Sequence, residues 1–219
     1  MTETYDAFWK SGKDARQYDE FARTTFARIY PIIANQILER TGITRGTCLD
    51  VGSGPASLAM AIALLSELHV TALDSSPEMF VLAQKNIRER CMDHLVMPLI
   101  GDVHAIPAAD ASFDLVVSRG SYHFWEDLPA AFKEIHRVLK PGSMAYIGGG
   151  YGTARIRDEV LAGRKERGIV DDPNHPARAR FRKFHVGEIE ASIESAGIRD
   201  YRIINDDSGF WILFRKSEG

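Results

Sequence analysis

Apolar positions along this chain follow two patterns that take turns: short, nearly continuous runs, and stretches at helical spacing. The runs fall at 47–51, 70–74, 95–100, 113–118 and 143–149, and the near-continuous apolar character of 113–118 is that of a strand buried on both faces. Between them lie predicted helices. The stretch 57–67 turns Leu58, Ile62 and Leu65 toward the first strand. A second helix starts with Ser76 as cap, Pro77 at the first helical position and Glu78 in the first turn. It runs to about Cys91, with Met79, Leu82, Ala83, Asn86 and Ile87 on one face. The stretch 128–140 is the crossover helix after the fourth strand, closing in Leu139-Lys140-Pro141-Gly142. Upstream, Tyr18, Phe21, Phe26, Ile29, Ile33, Ile37 and Leu38 recur at helical spacing over 14–40, with Pro31 as a break or second helix start and Gly42 as a stop.

Strands alternating with helices at this spacing predict a right-handed, doubly wound parallel sheet. The remainder changes character. Residues 151–185 are rich in Arg and Lys, with a helix over 153–168 and a loop through Pro173 and Pro176, and read as a lid inserted after the fifth strand. A short helix at 186–196 stops at Gly197, and 201–205 and 210–214 flank Asp206-Asp207-Ser208-Gly209 as a hairpin. The expected fold is therefore α/β and Rossmann-like: a mostly parallel seven-stranded sheet with a C-terminal antiparallel hairpin and a helical lid. The expected organisation is one domain over 1–219, with a helical cap at 1–45, a core at 46–150, the lid at 151–185 and a C-terminal helix and hairpin at 186–219.

With 219 residues the chain suits one α/β domain with a full core, and its 45% hydrophobic and 26% charged content is ordinary for a globular protein. A net charge of −3 gives no long-range attraction to nucleic acid or to an anionic membrane. Neither partner is expected. No apolar run reaches the roughly 18 residues of a bilayer span, and the first residues lack a basic start and an apolar core. The two cysteines, Cys48 and Cys91, fall in a strand and at a helix end, so a reducing cytoplasm fits.

The most informative segment is Leu49-Asp50-Val51-Gly52-Ser53-Gly54-Pro55-Ala56, a strand running through a Gly-x-Gly turn into a helix. Glycine lets backbone N–H groups close around a nucleotide-type ligand. The next strand ends in Asp74, about 20 residues on, where a carboxylate can take both hydroxyls of a ribose. A plain strand-to-helix turn, with Asp74 capping the following helix, is the structural alternative. The third glycine of a dinucleotide fingerprint is missing, Ala56 and Leu58 standing in that stretch, which leans away from NAD. The third strand ends at Gly101-Asp102, with a second carboxylate at the same sheet edge or serving a local turn.

In register, Leu-Asp-Val-Gly-Ser-Gly, Leu-Asp, Gly-Asp-Val, Ser-Phe-Asp-Leu-Val-Val-Ser and Arg-Val-Leu-Lys-Pro-Gly resemble the class I S-adenosylmethionine-dependent methyltransferases, over about residues 18–214. Within that family the chain looks most like the small-molecule branch that includes the ubiquinone and menaquinone C-methyltransferases. The resemblance implies S-adenosyl-L-methionine as cofactor, with its methionine moiety against Gly52, Ser53 and Gly54 and its ribose on Asp74 beside Ser75. It implies an adenine amino group donating to Asp102, a ring contact from the Val103 N–H, and Met79 packed on the adenine face. Asp50 organises the loop. Met79 as core filler is the alternative. Tyr18 and Tyr151 fall on elements that cover the cofactor in the family.

Ser118-Arg119-Gly120-Ser121-Tyr122-His123-Phe124-Trp125 faces the methyl group in the family, and Arg119-Gly120-Ser121 replaces residues that are commonly apolar. Arg119 is read in three ways: binding the cofactor carboxylate, clamping an anionic acceptor, or pairing with Asp or Glu. His123 is a candidate general base or a structural histidine. Phe124 and Trp125 form an acceptor wall or a contact with the lid. The catalytic candidates are thus Arg119, His123 and Tyr151. Arg155, Arg157, Arg164, Lys165, Arg167, Arg178, Arg180, Arg182 and Lys183 either attract an anion or form a solvated face. His175 and His185 make no metal site, and none of the seven histidines has ligand spacing, so no metal is expected. The expected function is methyl transfer to a small-molecule acceptor. The alternatives are an NAD-dependent oxidoreductase on a related fold and a non-catalytic S-adenosylmethionine-binding module.

Overall fold

The computed structural model describes residues 12–166 and 185–218. Helices α1 (Gly12–Thr24) and α2 (Ile29–Thr41) precede an alternation of β1 (Arg45–Val51), α3 (Ser57–Leu65), β2 (Glu67–Asp74), α4 (Pro77–Glu89), β3 (Val96–Ile100) and β4 (Phe113–Arg119). Then come α5 (Leu128–Val138), β5 (Leu139–Gly149), α6 (Ala154–Glu166), α7 (Val186–Ser195), β6 (Tyr201–Asp206) and β7 (Gly209–Arg215). The seven strands lie in the order β3-β2-β1-β4-β5-β7-β6. The first five are parallel, whereas β7 runs antiparallel to both β5 and β6. This is the expected doubly wound sheet with its hairpin. Chain order reverses between β1 and β4, the point where an open α/β sheet holds its ligand beyond the strands' carboxyl ends.

The sheet separates two apolar layers. One joins Leu115 and Val117 to Ile33 and Ile37 of α2, Ile62 of α3, Ile87 of α4 and Ile156 of α6. The other joins Leu49 and Val116 to Phe132 and Ile135 of α5 and to Ile189 and Ile193 of α7. Neighbouring residues of β4 thus serve opposite faces, which is why the strand is apolar throughout. Each fully buried aliphatic side chain contributes about 1.5–3 kcal/mol.

Several boundaries differ from the sequence expectation. Of the two readings of Pro31 the second helix start holds: α1 ends at Thr24, and Pro31 lies in the first turn of α2, where its missing N–H costs nothing. Helix α3 stops at Leu65, which is exposed rather than inward-facing, and Glu67 already belongs to β2. The crossover helix ends at Val138, and Leu139 and Lys140 start β5. Leu139 pairs with Phe113, the register shifts between Phe113 and Leu115, and Lys140 reaches Asp114 at 2.7 Å. That ion pair and the strand partner override the helical spacing. The helix expected over 153–168 is seen as α6, whereas Gly168, Pro173 and Pro176 lie outside the described residues.

Candidate functional site

Beyond Val51 the chain turns through left-handed conformations at Gly52 (φ 68°), Gly54 (φ 53°) and Ala56 (φ 64°). The N–H groups of Gly52 and Ser53 both donate to the Leu73 carbonyl, at 2.8 and 3.0 Å, so the turn is pinned to the end of β2. A Cβ on Gly52 would collide with Ser121, whose hydroxyl donates to the Val51 carbonyl at 3.0 Å. A Cβ on Gly54 would lie 3.4 Å from Tyr18 Cε1 and 4.0 Å from Met79 Sδ, so α1, the loop and α4 converge there. Asp74 closes the loop: its Oδ2 accepts from the Gly54 N–H at 2.8 Å and its Oδ1 from the Ser76 N–H at 2.9 Å. The helix cap itself is Ser76, whose Oγ accepts from the Met79 N–H. A carboxylate oxygen has more than one acceptor direction, so both oxygens can still receive hydroxyls.

Two carboxyl groups here are held above the usual carboxylate range. Burial raises Asp50 to about 7, partly opposed by the Ala59 N–H and reinforced by the charge on Asp74. Burial also raises Asp74, against the N–H groups of Ser76, Gly54 and Ser75. Asp50 Oδ2 and Ser53 Oγ are buried with no hydrogen-bond partner among the described residues. Such groups are costly unless a ligand or water completes them.

Arg119, at the end of β4, lies between the loop and the N-terminal helices. Its Nη2 donates to the Gly150 carbonyl at 3.0 Å, and its guanidinium lies 4.8 Å from the Phe26 ring centre and 5.5 Å from that of Tyr30. No carboxylate among the described residues pairs with it, and its buried Nε has no partner among them. The structural ion pair considered for Arg119 is therefore absent among those residues. Burial raises the Tyr18 and Tyr30 phenols, which share a hydrogen bond and feel the Arg119 charge, so both stay protonated, with one hydroxyl proton lying in the bond between them. Tyr30 also meets Ser57 at the start of α3. Tyr151 stands edge-on to Phe26 at 6.2 Å.

Asp102 follows β3 in a tight turn, where its Oδ1 accepts from both the N–H and the ring Nδ1 of His104, at 2.8 and 2.6 Å. The turn reading is thus observed, and the carboxylate is still 60% exposed. Partial burial raises its pKa, but His104 more than offsets this and holds it below the usual range. Val103 is buried in the second apolar layer, and Ser75 is exposed.

The segment after β4 divides. Ser118 is buried with its hydroxyl 2.6 Å from that of Ser121. His123 stacks on Tyr122 with ring centres 3.8 Å apart, and burial lowers its pKa to about 4. It is neutral near pH 7 and a weak base, which favours the structural alternative. Trp125 is buried against Phe132 and belongs to the core rather than to an acceptor wall, while Phe124 is half-buried. Arg155 pairs with Glu159, and Arg157 with Asp158 and Asp207, as a solvated face does. The side chains of Arg164 and Lys165 are not described, and Arg167, His175, Arg178, Arg180, Arg182 and Lys183 lie outside the described residues. Among the described residues there is no group of His, Cys, Asp and Glu able to hold a metal, and no helix long and apolar enough to cross a membrane. Sequence reasoning missed both aromatic neighbours of Arg119: Phe26 was read only as one position of the helical spacing, and Tyr30 was not singled out at all. An arginine at the end of an apolar strand was the signal that something must cover it.

The chain's residues 49–147 match the family model of the methyltransferase domain. A crystal structure from Methanococcus maripaludis, described as a candidate S-adenosyl-L-methionine-dependent methyltransferase, is 41% identical with a TM-score of 0.89, over 100% of this chain and 98% of that one. The malonyl-[acyl-carrier protein] O-methyltransferase of Geobacter sulfurreducens is 28% identical over 205 residues, 92% of this chain and 72% of that protein. The demethylmenaquinone methyltransferase of Chlorobaculum parvum is 38% identical over 99 residues, 45% of this chain; that match spans only 39% of the relative's length. A glycine turn closed by a carboxylate at the sheet's reversal point, and a near full-length relative, lead to one assignment: the chain belongs to the class I S-adenosyl-L-methionine-dependent methyltransferases.

Proposed function

We propose that this enzyme moves the methyl group of S-adenosyl-L-methionine to a small-molecule acceptor, with the cofactor lying across the carboxyl ends of β3, β2, β1 and β4. The observation that carries the placement is Arg119, a half-buried cation with an unmatched Nε, beside two protonated phenols and the start of α3. The unmatched guanidinium N–H is the charged donor that a carboxylate requires. The cofactor's amino-acid end, with its carboxylate, fits there against Gly52, Ser53 and Gly54, beneath Tyr18. Its ribose hydroxyls fit Asp74. Its adenine fits between Met79 and Val103, with the amino group toward Asp102. The unmatched polar atoms of Asp50 and Ser53 support a polar ligand at the loop. We also take the described elements as one methyltransferase domain.

The cofactor supplies an electrophilic methyl on a positively charged sulfur, and the protein's part is alignment. Holding two reactants in line is worth up to about 7–11 kcal/mol in favourable systems. The Asp74 carboxylate fixes the loop and the ribose together, so it sets where the sulfur lies. The Tyr18, Tyr30 and Phe26 rings exclude water from the Arg119 side. With Tyr18 and Tyr30 held protonated and His123 a weak base, the described residues favour an acceptor that needs little help in losing a proton.

Incubation with S-adenosylmethionine labelled at the methyl group and a metabolite extract tests the activity. Label in a compound of low molecular mass is the expected result. Label only in protein or nucleic acid contradicts the proposed acceptor class. Binding of the cofactor without any transfer of label would instead favour the non-catalytic alternative.

A further inference from the structure

Asp102 is not held by its own strand alone. The Asp127 N–H donates to His104 Nε2 at 3.2 Å, and because a backbone N–H can only donate, that nitrogen is the acceptor. The proton of a neutral imidazole must then lie on Nδ1, which faces Asp102 Oδ1 at 2.6 Å. The His104 N–H donates to the same oxygen. Both donors therefore engage Oδ1, and no described donor uses Oδ2. Asp127 is itself fixed, since its Oδ1 accepts from the Ala130 N–H at 3.0 Å as the cap of α5. A chain of directed bonds thus runs from the start of a packed helix, through an imidazole in one tautomer, to a carboxylate at the end of β3.

We propose that His104 is a positioning residue for base recognition: its Nδ1–H, oriented by the Asp127 N–H, holds Asp102 so that Oδ2 accepts the 6-amino group of adenine. This inference rests on the adenine placement given under Proposed function. A carboxylate on a short loop could otherwise rotate and meet either a donor or water. With Oδ1 occupied twice, Oδ2 is the oxygen left to accept, and a base without the 6-amino group brings it no donor.

The test is calorimetric titration of the full chain with S-adenosylhomocysteine and with its purine analogue that carries hydrogen in place of the 6-amino group and keeps N1 as an acceptor. The wild type should prefer the adenine compound by roughly 10–100-fold, the worth of one hydrogen bond to a charged group. Asp102→Asn should abolish the preference, and His104→Ala should reduce it about tenfold. His104→Asn, whose amide can reproduce the Nδ1 donor, should stay within about threefold of wild type. His104→Phe, with ring bulk and no donor, takes the place of the alanine variant if that one does not fold. Full preference in the alanine or phenylalanine variant, with loss in Asp102→Asn, overturns the role of His104 and leaves the adenine placement standing. An asparagine variant as poor as the alanine one also overturns it. Full preference in Asp102→Asn removes the adenine placement, and this inference with it.

Discussion

In the proposed placement, Arg119 is the residue on which the geometry of the cofactor's amino-acid end turns. It has a carbonyl and two aromatic faces as neighbours, but no described counter-charge. Arg119→Met keeps the stem and removes the donors. Hydrogen bonds to charged groups are worth about 1.5–3 kcal/mol, so affinity for S-adenosylhomocysteine should fall roughly 10–100-fold. 5′-Methylthioadenosine, which lacks the carboxylate, should bind nearly unchanged. Equal losses for both compounds, measured by calorimetry, would place Arg119 elsewhere in the site. The sequence exposed this residue through its cost, because a cation at the end of an apolar strand is expensive without a partner. Of its aromatic neighbours, Phe26 stood in the helical spacing, where a core side chain and a site side chain leave the same trace, and Tyr30 fell outside that spacing and left no trace.

At the scale of elements, α1 is joined to the loop by a buried polar contact. Asn86 of α4 donates to Asp19 of α1 at 2.7 Å and to the Pro55 carbonyl at 3.2 Å. Asn86→Ala leaves two buried acceptors short of a donor, and should cost about 1–3 kcal/mol. Amide exchange over residues 15–24 should quicken, because α1 carries Tyr18 across the loop and loses its anchor. Unchanged exchange there would show that apolar packing alone holds the helix. Asn86 was legible only as one position of an apolar helical face, since periodicity cannot tell a buried amide from a buried aliphatic. The strands were legible because a parallel core writes apolar runs into the sequence, and the hairpin because Asp206-Asp207-Ser208-Gly209 reads as a turn between two apolar stretches. The start of β5 was not, because the Lys140–Asp114 pair and the Phe113–Leu139 pairing are contacts between distant positions.

Over the whole molecule, two buried groups act on stability in opposite directions as pH changes. Asp50 has a folded pKa near 7, above its ordinary 3.8, so its contribution is complete below about pH 4 and is lost as pH rises toward 7. His123 has a folded pKa near 4, below its ordinary 6.5, so its contribution is complete above about pH 6.5 and is lost as pH falls toward 4. Their slopes oppose each other across the shared window. In urea unfolding of the ligand-free protein, Asp50→Asn should gain on wild type as pH rises from 4 to 7, by on the order of a few kcal/mol. His123→Asn should gain on it as pH falls from 6.5 to 4. Parallel curves for variant and wild type would mean that the group is not buried as described. The same doubly wound frame that buries these groups brings Asp102, Asp74, Gly52 and Arg119 to one edge, and the central claim is that the cofactor is gripped along that edge. Calorimetric titration of S-adenosylhomocysteine into wild type and Asp74→Ala tests it most directly. Saturable binding to wild type, at least about tenfold weaker in a variant that still melts cooperatively, is the predicted result; no heat with wild type, or equal affinity in the two proteins, would contradict it.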